Sequence, residues 1–244
     1  MPLQKKDFIE IEFTGRIKDT GDIFDSNVKE ELEKIHKGHD HDVEVKPLIY
    51  CLGEGMFLGG VDDSLIGKEI GKHIIGLSSE KAFGKRLREL VKMIPIKIFF
   101  QHKINPVQGA MLNFDGKMGK VLSVSGGRVL VDFNHPLAGK EVIYEINVKK
   151  IVQDIDEKIK AFNVFIFKQD LKFSVEQKEK KVIYEIPESD KQLKIFVGIF
   201  KEKFKEIFGM ELEIKEDKEN KSAVKEDKEK KTKLEKQEDN KKSD

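Results

Sequence analysis

The chain has 244 residues, enough for one large domain or for two to three small ones with separate cores, and its uneven composition favours several small units. Its 46 basic side chains are balanced by 45 acidic ones, so no net field draws it to nucleic acid or to an anionic membrane. Cys51 is the single cysteine, which excludes an internal disulfide and agrees with a reducing compartment.

Near the N-terminus, Lys5, Lys6, Asp7 and Glu10 stand where a secretory signal needs an apolar stretch, and apolar runs such as residues 94–100 are too short to span a bilayer. The expectation is a cytoplasmic protein with no membrane partner. Ile9, Ile11 and Phe13 alternate with Glu10, Glu12 and Thr14, the period of a strand with one buried face, and Gly15 follows. Residues 61–67, Val-Asp-Asp-Ser-Leu-Ile-Gly, predict a short helix, because acidic residues suit its first turn and a glycine closes it.

Residues 85–131 carry short apolar runs punctuated by Asn105-Pro106, Asp115-Gly116 and Gly126-Gly127, which predicts a small all-β insertion with tight turns. Lys117, Lys120 and Arg128 in that stretch stand near Asp115 and Asp132, so the region reads as a mixed solvated surface and not as a nucleic-acid face. Val142, Tyr144, Ile146 and Val148 alternate as a second long strand. One short helix among antiparallel strands implies the α+β class.

Beyond residue 152 the pattern changes to a helix from about Asp154, strands at residues 171–175 and 182–186, and a second helix. That second helix is predicted to carry Leu193, Phe196, Val197, Phe200, Phe204, Ile207 and Phe208 on one face, with Ser189 and Gln192 as a capping box and Gly209 past its end. Met210, Leu212 and Ile214 then alternate as a last strand, making a C-terminal α/β accessory domain of βαβ character. Residues 215–244 hold 11 Lys and 10 Asp or Glu, with only Ala223, Val224 and Leu234 to bury, and are expected to be a disordered charged tail. No repeat of 20 to 50 residues occurs.

Two competing signals are weak. His36, His39 and His41 beside Asp40 and Asp42 suit Zn²⁺ or Ni²⁺, but no cysteine or distant histidine completes four ligands, and a solvated polar loop is the favoured alternative. In residues 53–59, Gly-Glu-Gly-Met-Phe-Leu-Gly, the third glycine falls one place late for a dinucleotide fingerprint and no βαβ pattern surrounds it. No cofactor is expected.

Four separated stretches carry a specific resemblance. Phe13-Thr14-Gly15 followed by Phe24-Asp25-Ser26 resembles the opening signature of the FKBP-type peptidyl-prolyl cis-trans isomerases. Leu58-Gly59-Gly60-Val61 and the helix after it resemble that family's pocket-floor turn, and Ala82-Phe83-Gly84 its Ala-aromatic-Gly loop. Residues 132–140, Asp-Phe-Asn-His-Pro-Leu-Ala-Gly-Lys, resemble the segment by which SlyD-like members return from an inserted chaperone domain, and the accessory domain and tail suggest the long archaeal form.

The resemblance implies an FKBP-like antiparallel half-barrel sheet around a short helix, formed by residues 1–84 and 132–152. It further implies an insert-in-flap chaperone domain at 85–131, an accessory domain at 153–214 and a tail at 215–244. The implied activity is peptidyl-prolyl isomerisation without cofactor or metal, on unfolded or nascent proline-containing chains. Phe24, Leu58, Val61, Phe83 and Tyr144 would line the proline pocket, with Phe13 at its wall. Asp25 would face the twisting amide, and His135 with Leu137 would come from the returning flap. Read one by one, these aromatics are more often core residues, and it is their combination with the Phe-Asp-Ser corner that favours a pocket.

In the insert, Ile94, Ile96, Ile98, Phe99, Phe100, Met111, Phe114 and Met118 would hold unfolded segments, or else form the insert's own core. Phe13 and Phe83 stand where tyrosines are usual in the family, and Val61 where a larger side chain is usual. That leaves a holdase-type chaperone with a degraded pocket as the alternative.

Overall fold

The computed structural model describes residues 1–35 and 45–217. In chain order its elements are β1 (Phe8–Ile17), β2 (Ile23–Ser26), α1 (Lys29–Ile35), β3 (Leu48–Cys51), α2 (Gly59–Leu65), β4 (Gly71–Leu77), β5 (Val91–Pro95), α3 (Ile96–Gln101) and β6 (Met111–Phe114). There follow β7 (Lys117–Ser125), β8 (Arg128–Asp132), β9 (Val142–Ile151), α4 (Ile155–Phe167), β10 (Phe173–Glu176), β11 (Lys181–Pro187), α5 (Lys191–Ile199), α6 (Lys201–Phe208) and β12 (Glu211–Asp217). The chain divides into two compact units: residues 1–48 with 52–151, and residues 49–51 with those from Val152 on. It is a mixed α and β protein with antiparallel sheets and few helices.

In the first unit the predicted alternation forms the central pair of an antiparallel sheet ordered β2-β1-β9-β4. Ile9, Ile11, Phe13, Val142, Tyr144, Ile146 and Val148 are buried along β1 and β9, while Glu10, Glu12, Lys149 and Lys150 stay at the surface in cross-strand ion pairs. Against this sheet α2 packs on β4 and buries Val61 and Leu65. The close approach depends on Gly60: a Cβ there would lie 2.6 Å from the Lys81 carbonyl oxygen and 3.0 Å from Leu77 Cδ2. Asp62, buried in the same helix, accepts a hydrogen bond from the Gly53 N–H at 3.0 Å.

Within the same unit a second antiparallel sheet, ordered β5-β8-β7-β6, encloses a small core of Phe99, Val121, Val129 and Val131, with Ile94, Ile96, Phe114 and Phe133 packed against it. This region is not all-β, because residues 96–101 form the short helix α3. The run Ile98-Phe99-Phe100 has strand composition, but Pro95 stands at the N-cap position, where its lack of an N–H is harmless, and Phe99 alone of the helix is buried. Gly119 opens the space under the hairpin of β6 and β7: a Cβ would meet Val131 at 2.7 Å and Phe133 at 2.9 Å.

The second unit contains a three-stranded sheet ordered β10-β11-β12, with β10 antiparallel and β12 parallel to β11, so α5 and α6 form a crossover between parallel neighbours. Its core gathers Ile159, Phe162, Phe167, Val182, Tyr184, Val197 and Phe204. The predicted single helix after residue 190 is two helices broken at Phe200 (φ −88°, ψ 3°), whose N–H reaches back to the Val197 carbonyl. The break follows Gly198, the weakest helix former in the run. Asp190, not Ser189, caps α5, accepting the Leu193 N–H at 3.0 Å, and Phe196 is partly exposed. Gly209 closes α6 in the left-handed conformation.

No helix among the described residues is long and apolar enough to cross a membrane.

Candidate functional site

The corner after β1 is built by backbone rules before any chemistry enters. Thr14 pairs with Ser26, Gly15 with Asp25 and Arg16 with Ile23, so Phe24 is the extra residue of a β-bulge, the device that re-aims one side chain. Ser26 fixes this corner from inside: its buried hydroxyl donates to the Phe13 carbonyl at 3.0 Å, lies 3.0 Å from the Thr14 hydroxyl and accepts the Val28 N–H. Asn27 completes the attachment, accepting the Phe13 N–H at 2.6 Å and donating to the Ile11 carbonyl at 2.9 Å.

Gly15 sits between Asp25 on β2 and Tyr144 on β9 in one cross-strand row. Its missing side chain makes room for the re-aimed ring: a Cβ there would stand 2.6 Å from Phe24 Cζ and 3.1 Å from Tyr144 Cε1. Phe24 accordingly lies edge-on to both Tyr144 and Phe83, each at 5.6 Å between centroids. A cavity of about 620 Å³ opens here, lined by Phe24, Asp25, Phe57, Leu58, Phe83, His135, Pro136, Leu137 and Tyr144.

Seven of the nine expected residues therefore share one cup: Phe24, Asp25, Leu58, Phe83, His135, Leu137 and Tyr144. Phe13 and Val61 do not line it. Phe13 is buried behind the wall, edge-on to Phe57 at 5.1 Å and tilted against Tyr144 at 6.2 Å, and Val61 is fully buried in α2. Phe57 and Pro136 are lining residues that sequence reasoning missed. Phe57 is packed against both Phe13 and Tyr144, and it lies in the glycine-rich stretch before α2, where no periodicity marks it.

The rim joins two segments far apart in the chain. The Phe83 and His135 rings stack at 4.9 Å and 3°, and the Gly139 N–H donates to the Gly84 carbonyl at 2.8 Å. His135 Nδ1 accepts the Leu137 N–H at 3.2 Å, which leaves the ring proton on Nε2 in the neutral form.

Three side chains of the cup carry polar atoms: Asp25, His135 and Tyr144. The apolar walls strip water from the Asp25 carboxylate and raise its pKa, although the residue keeps an exposed edge; the Ser26 N–H opposes the shift. Burial, and secondarily the charge of Asp25, push the Tyr144 hydroxyl well above the usual tyrosine range, so it remains a neutral donor. An apolar, aromatic cup with one carboxylate at its edge suits a neutral ring and an amide that loses charge separation as it twists.

On the insert the eight expected capture residues separate into two groups. Ile94, Ile96, Phe99 and Phe114 belong to its core, while Ile98, Phe100, Met111 and Met118 are exposed at 44%, 56%, 46% and 51%. The register places Met111 and Met118 on the outward face of the hairpin of β6 and β7. Among the described residues no cluster of His, Cys, Asp or Glu has the geometry of a metal site; His36, His39 and His41 lie outside those residues.

A family model described as "FKBP26, IF domain" matches residues 92–137. Over 150 residues the chain is 28% identical to the short-type peptidyl-prolyl cis-trans isomerase of Methanocaldococcus jannaschii, covering 61% of this chain and 94% of that one. It is 32% identical over 112 residues to the FKBP-type 16 kDa peptidyl-prolyl cis-trans isomerase of Escherichia coli, covering 43% of this chain and 74% of that one. It is also 29% identical over 168 residues to the FKBP-type peptidyl-prolyl cis-trans isomerase SlyD of Treponema pallidum, covering 66% and 85%.

Proposed function

Because this chain belongs to the FKBP-type peptidyl-prolyl cis-trans isomerases, we propose that it is a long, SlyD-like member whose aromatic cup isomerises Xaa-Pro bonds in unfolded or nascent chains of the cytoplasm. The observation that carries this reading is the convergence of Phe24, Phe57, Phe83 and Tyr144 around one cavity with Asp25 at its edge.

An Xaa-Pro bond prefers trans by only ~0.5–1 kcal/mol, yet crosses a barrier of ~18–20 kcal/mol that is mostly lost amide resonance. The planar amide is the more polar state, so removing water from it raises the ground state more than the twisted one. An acceleration of ~10³ to 10⁶ needs only ~4–8 kcal/mol, without nucleophile or metal. In this scheme Phe24, Phe57, Leu58, Phe83 and Tyr144 hold the proline ring, Phe13 and Val61 back that wall, and His135 with Leu137 closes the rim. Asp25 faces the twisting amide as its single acidic group.

Residues 85–131 are the proposed chaperone insert, with Ile98, Phe100, Met111 and Met118 as its capture surface. Their exposure would equally serve a holdase that does not turn over, so activity on a short peptide separates the two readings. The wild-type chain should accelerate isomerisation of a short Xaa-Pro peptide, and Asp25→Ala should lower that rate while leaving the fold intact. An unchanged rate removes Asp25 from the mechanism, and no rate above background in the wild type leaves the holdase. Deleting residues 86–130 should abolish suppression of aggregation and spare short-peptide catalysis.

A further inference from the structure

Two crossing limbs join the insert to the body that carries the cup, and they are tied to each other by side chains. On the outgoing limb the Arg86 guanidinium donates twice to Asp132 Oδ2 on the returning limb, at 2.6 and 3.0 Å. Asp132 Oδ1 accepts both the backbone N–H and the side-chain amide of Asn134, at 2.9 and 2.6 Å. The Asn134 amide then closes a two-bond ring with the outgoing backbone: Oδ1 accepts the Leu87 N–H at 2.8 Å and Nδ2 donates to the Leu87 carbonyl at 2.9 Å. Asn134 thus replaces the strand neighbour that Leu87 lacks at this crossing.

A passive linker has no use for this network. Single exposed ion pairs are worth little and cost side-chain entropy, whereas several donors converging on one carboxylate share that cost and fix a geometry. The network holds in the vicinity of neutral pH as well. Burial would raise the Asp132 pKa, but the Asn134 N–H, the Asn134 amide and the Arg86 charge outweigh it and hold the carboxyl below its usual range. His135, the next residue after Asn134, stacks on Phe83 at the rim of the cup.

We propose that Arg86, Asp132 and Asn134 are positioning residues, which hold the insert in one orientation to the cup so that a proline in a captured chain is delivered to it. This rests on the reading of the insert as the capture surface. A stiff connection of the right span raises the effective concentration of a tethered substrate, and a loose one dilutes it. The residues should therefore matter for long unfolded clients and not for short peptides.

The test compares the full chain with Arg86→Met, Asn134→Ala and the double variant. The readouts are kcat/KM on a short Xaa-Pro peptide, catalysed refolding of a small protein limited by one prolyl isomerisation, affinity for a permanently unfolded chain, and residual dipolar couplings reporting the orientation of insert and body. In the double variant the orientation should loosen and refolding catalysis should fall about tenfold, chiefly through KM. Peptide turnover and affinity for the unfolded chain should stay within twofold of wild type. Unchanged refolding catalysis despite a loosened orientation, an unaltered orientation, or a parallel fall in peptide turnover would each overturn the proposal. A wild type that handles protein and peptide equally well would instead remove the capture reading beneath it.

Discussion

Replacing Gly15 with alanine isolates the geometry of the cup from its chemistry. The residue is not in the left-handed region, so its backbone tolerates alanine and the whole effect comes from the added methyl. That methyl would stand 2.6 Å from Phe24 Cζ, 2.9 Å from Phe24 Cε2 and 3.1 Å from Tyr144 Cε1. Ordinary carbon contacts lie at ~3.5–4.0 Å, so the Phe24 ring must retreat by about 1 Å.

The retreat has two separable costs. Overpacking of this kind destabilises by ~1–3 kcal/mol. Displacement of a positioning ring by about 1 Å lowers catalysis by up to ~10²-fold. Gly15→Ala should therefore fold, unfold at lower urea, and lose ~10- to 100-fold in kcat/KM on a short Xaa-Pro peptide. Gly15→Ala combined with Phe24→Leu should recover much of the stability and none of the activity. A crystal structure of Gly15→Ala with Phe24 in place and a wild-type rate would refute the reasoning.

Other expectations follow from the same contacts. Asp25→Asn removes a carboxylate whose pKa the cup raises, a group that opposes folding once ionised. The variant should gain stability at neutral pH, lose that gain as pH falls through the raised native value to the ordinary aspartate range, and yet isomerise more slowly; paired urea titrations at pH 7 and pH 3 read the sign. Gly60→Ala sets a gain of up to ~1 kcal/mol in helix propensity against a Cβ 2.6 Å from the Lys81 carbonyl oxygen. Since backbone cannot yield as a flexible side chain does, net destabilisation of ~1–3 kcal/mol is expected, and a more stable variant would contradict the packing. Tyr184→Phe removes the hydroxyl that donates to Asn163 Oδ1 at 2.5 Å in the core of the second unit. With both residues fully buried, chemical denaturation should show a loss of ~1–3 kcal/mol, and loss of less than half a kcal/mol would mean water replaces the bond.

The parts of the fold legible in the sequence were those with a period or a local signature. Alternation revealed β1 and β9, and the glycine and acidic pattern revealed α2, shifted by two residues from its expected start. The Phe24-Asp25-Ser26 corner and residues 132–140 were legible as motifs. What escaped had no local mark. Residues 96–101 have strand composition and become a helix because Pro95 starts one and the turn buries Phe99 in the core of the insert. A continuous apolar face concealed the break at Phe200, and adjacent Ser189 and Asp190 compete for one cap on equal local terms. Phe57 enters the cup only because tertiary packing brings it against Phe13 and Tyr144, while Val61, at a position the motif marks, is drawn into the helix core instead.

The pairing of β1 with β9 joins Ile9 to Ile151 and Ile17 to Val142, while the insert sheet closes on neighbours between residues 91 and 132. During synthesis at ~5–20 residues per second, the first strand waits several seconds for its partner to leave the ribosome. With β2 on its other side, the edge that β9 will cover stays open over that interval, whereas the insert has every contact it needs before the ninth strand emerges. A protein proposed to shelter unfinished chains is thus itself translated with its capture module complete before its catalytic sheet, and its own first strand is of the kind that module is proposed to hold.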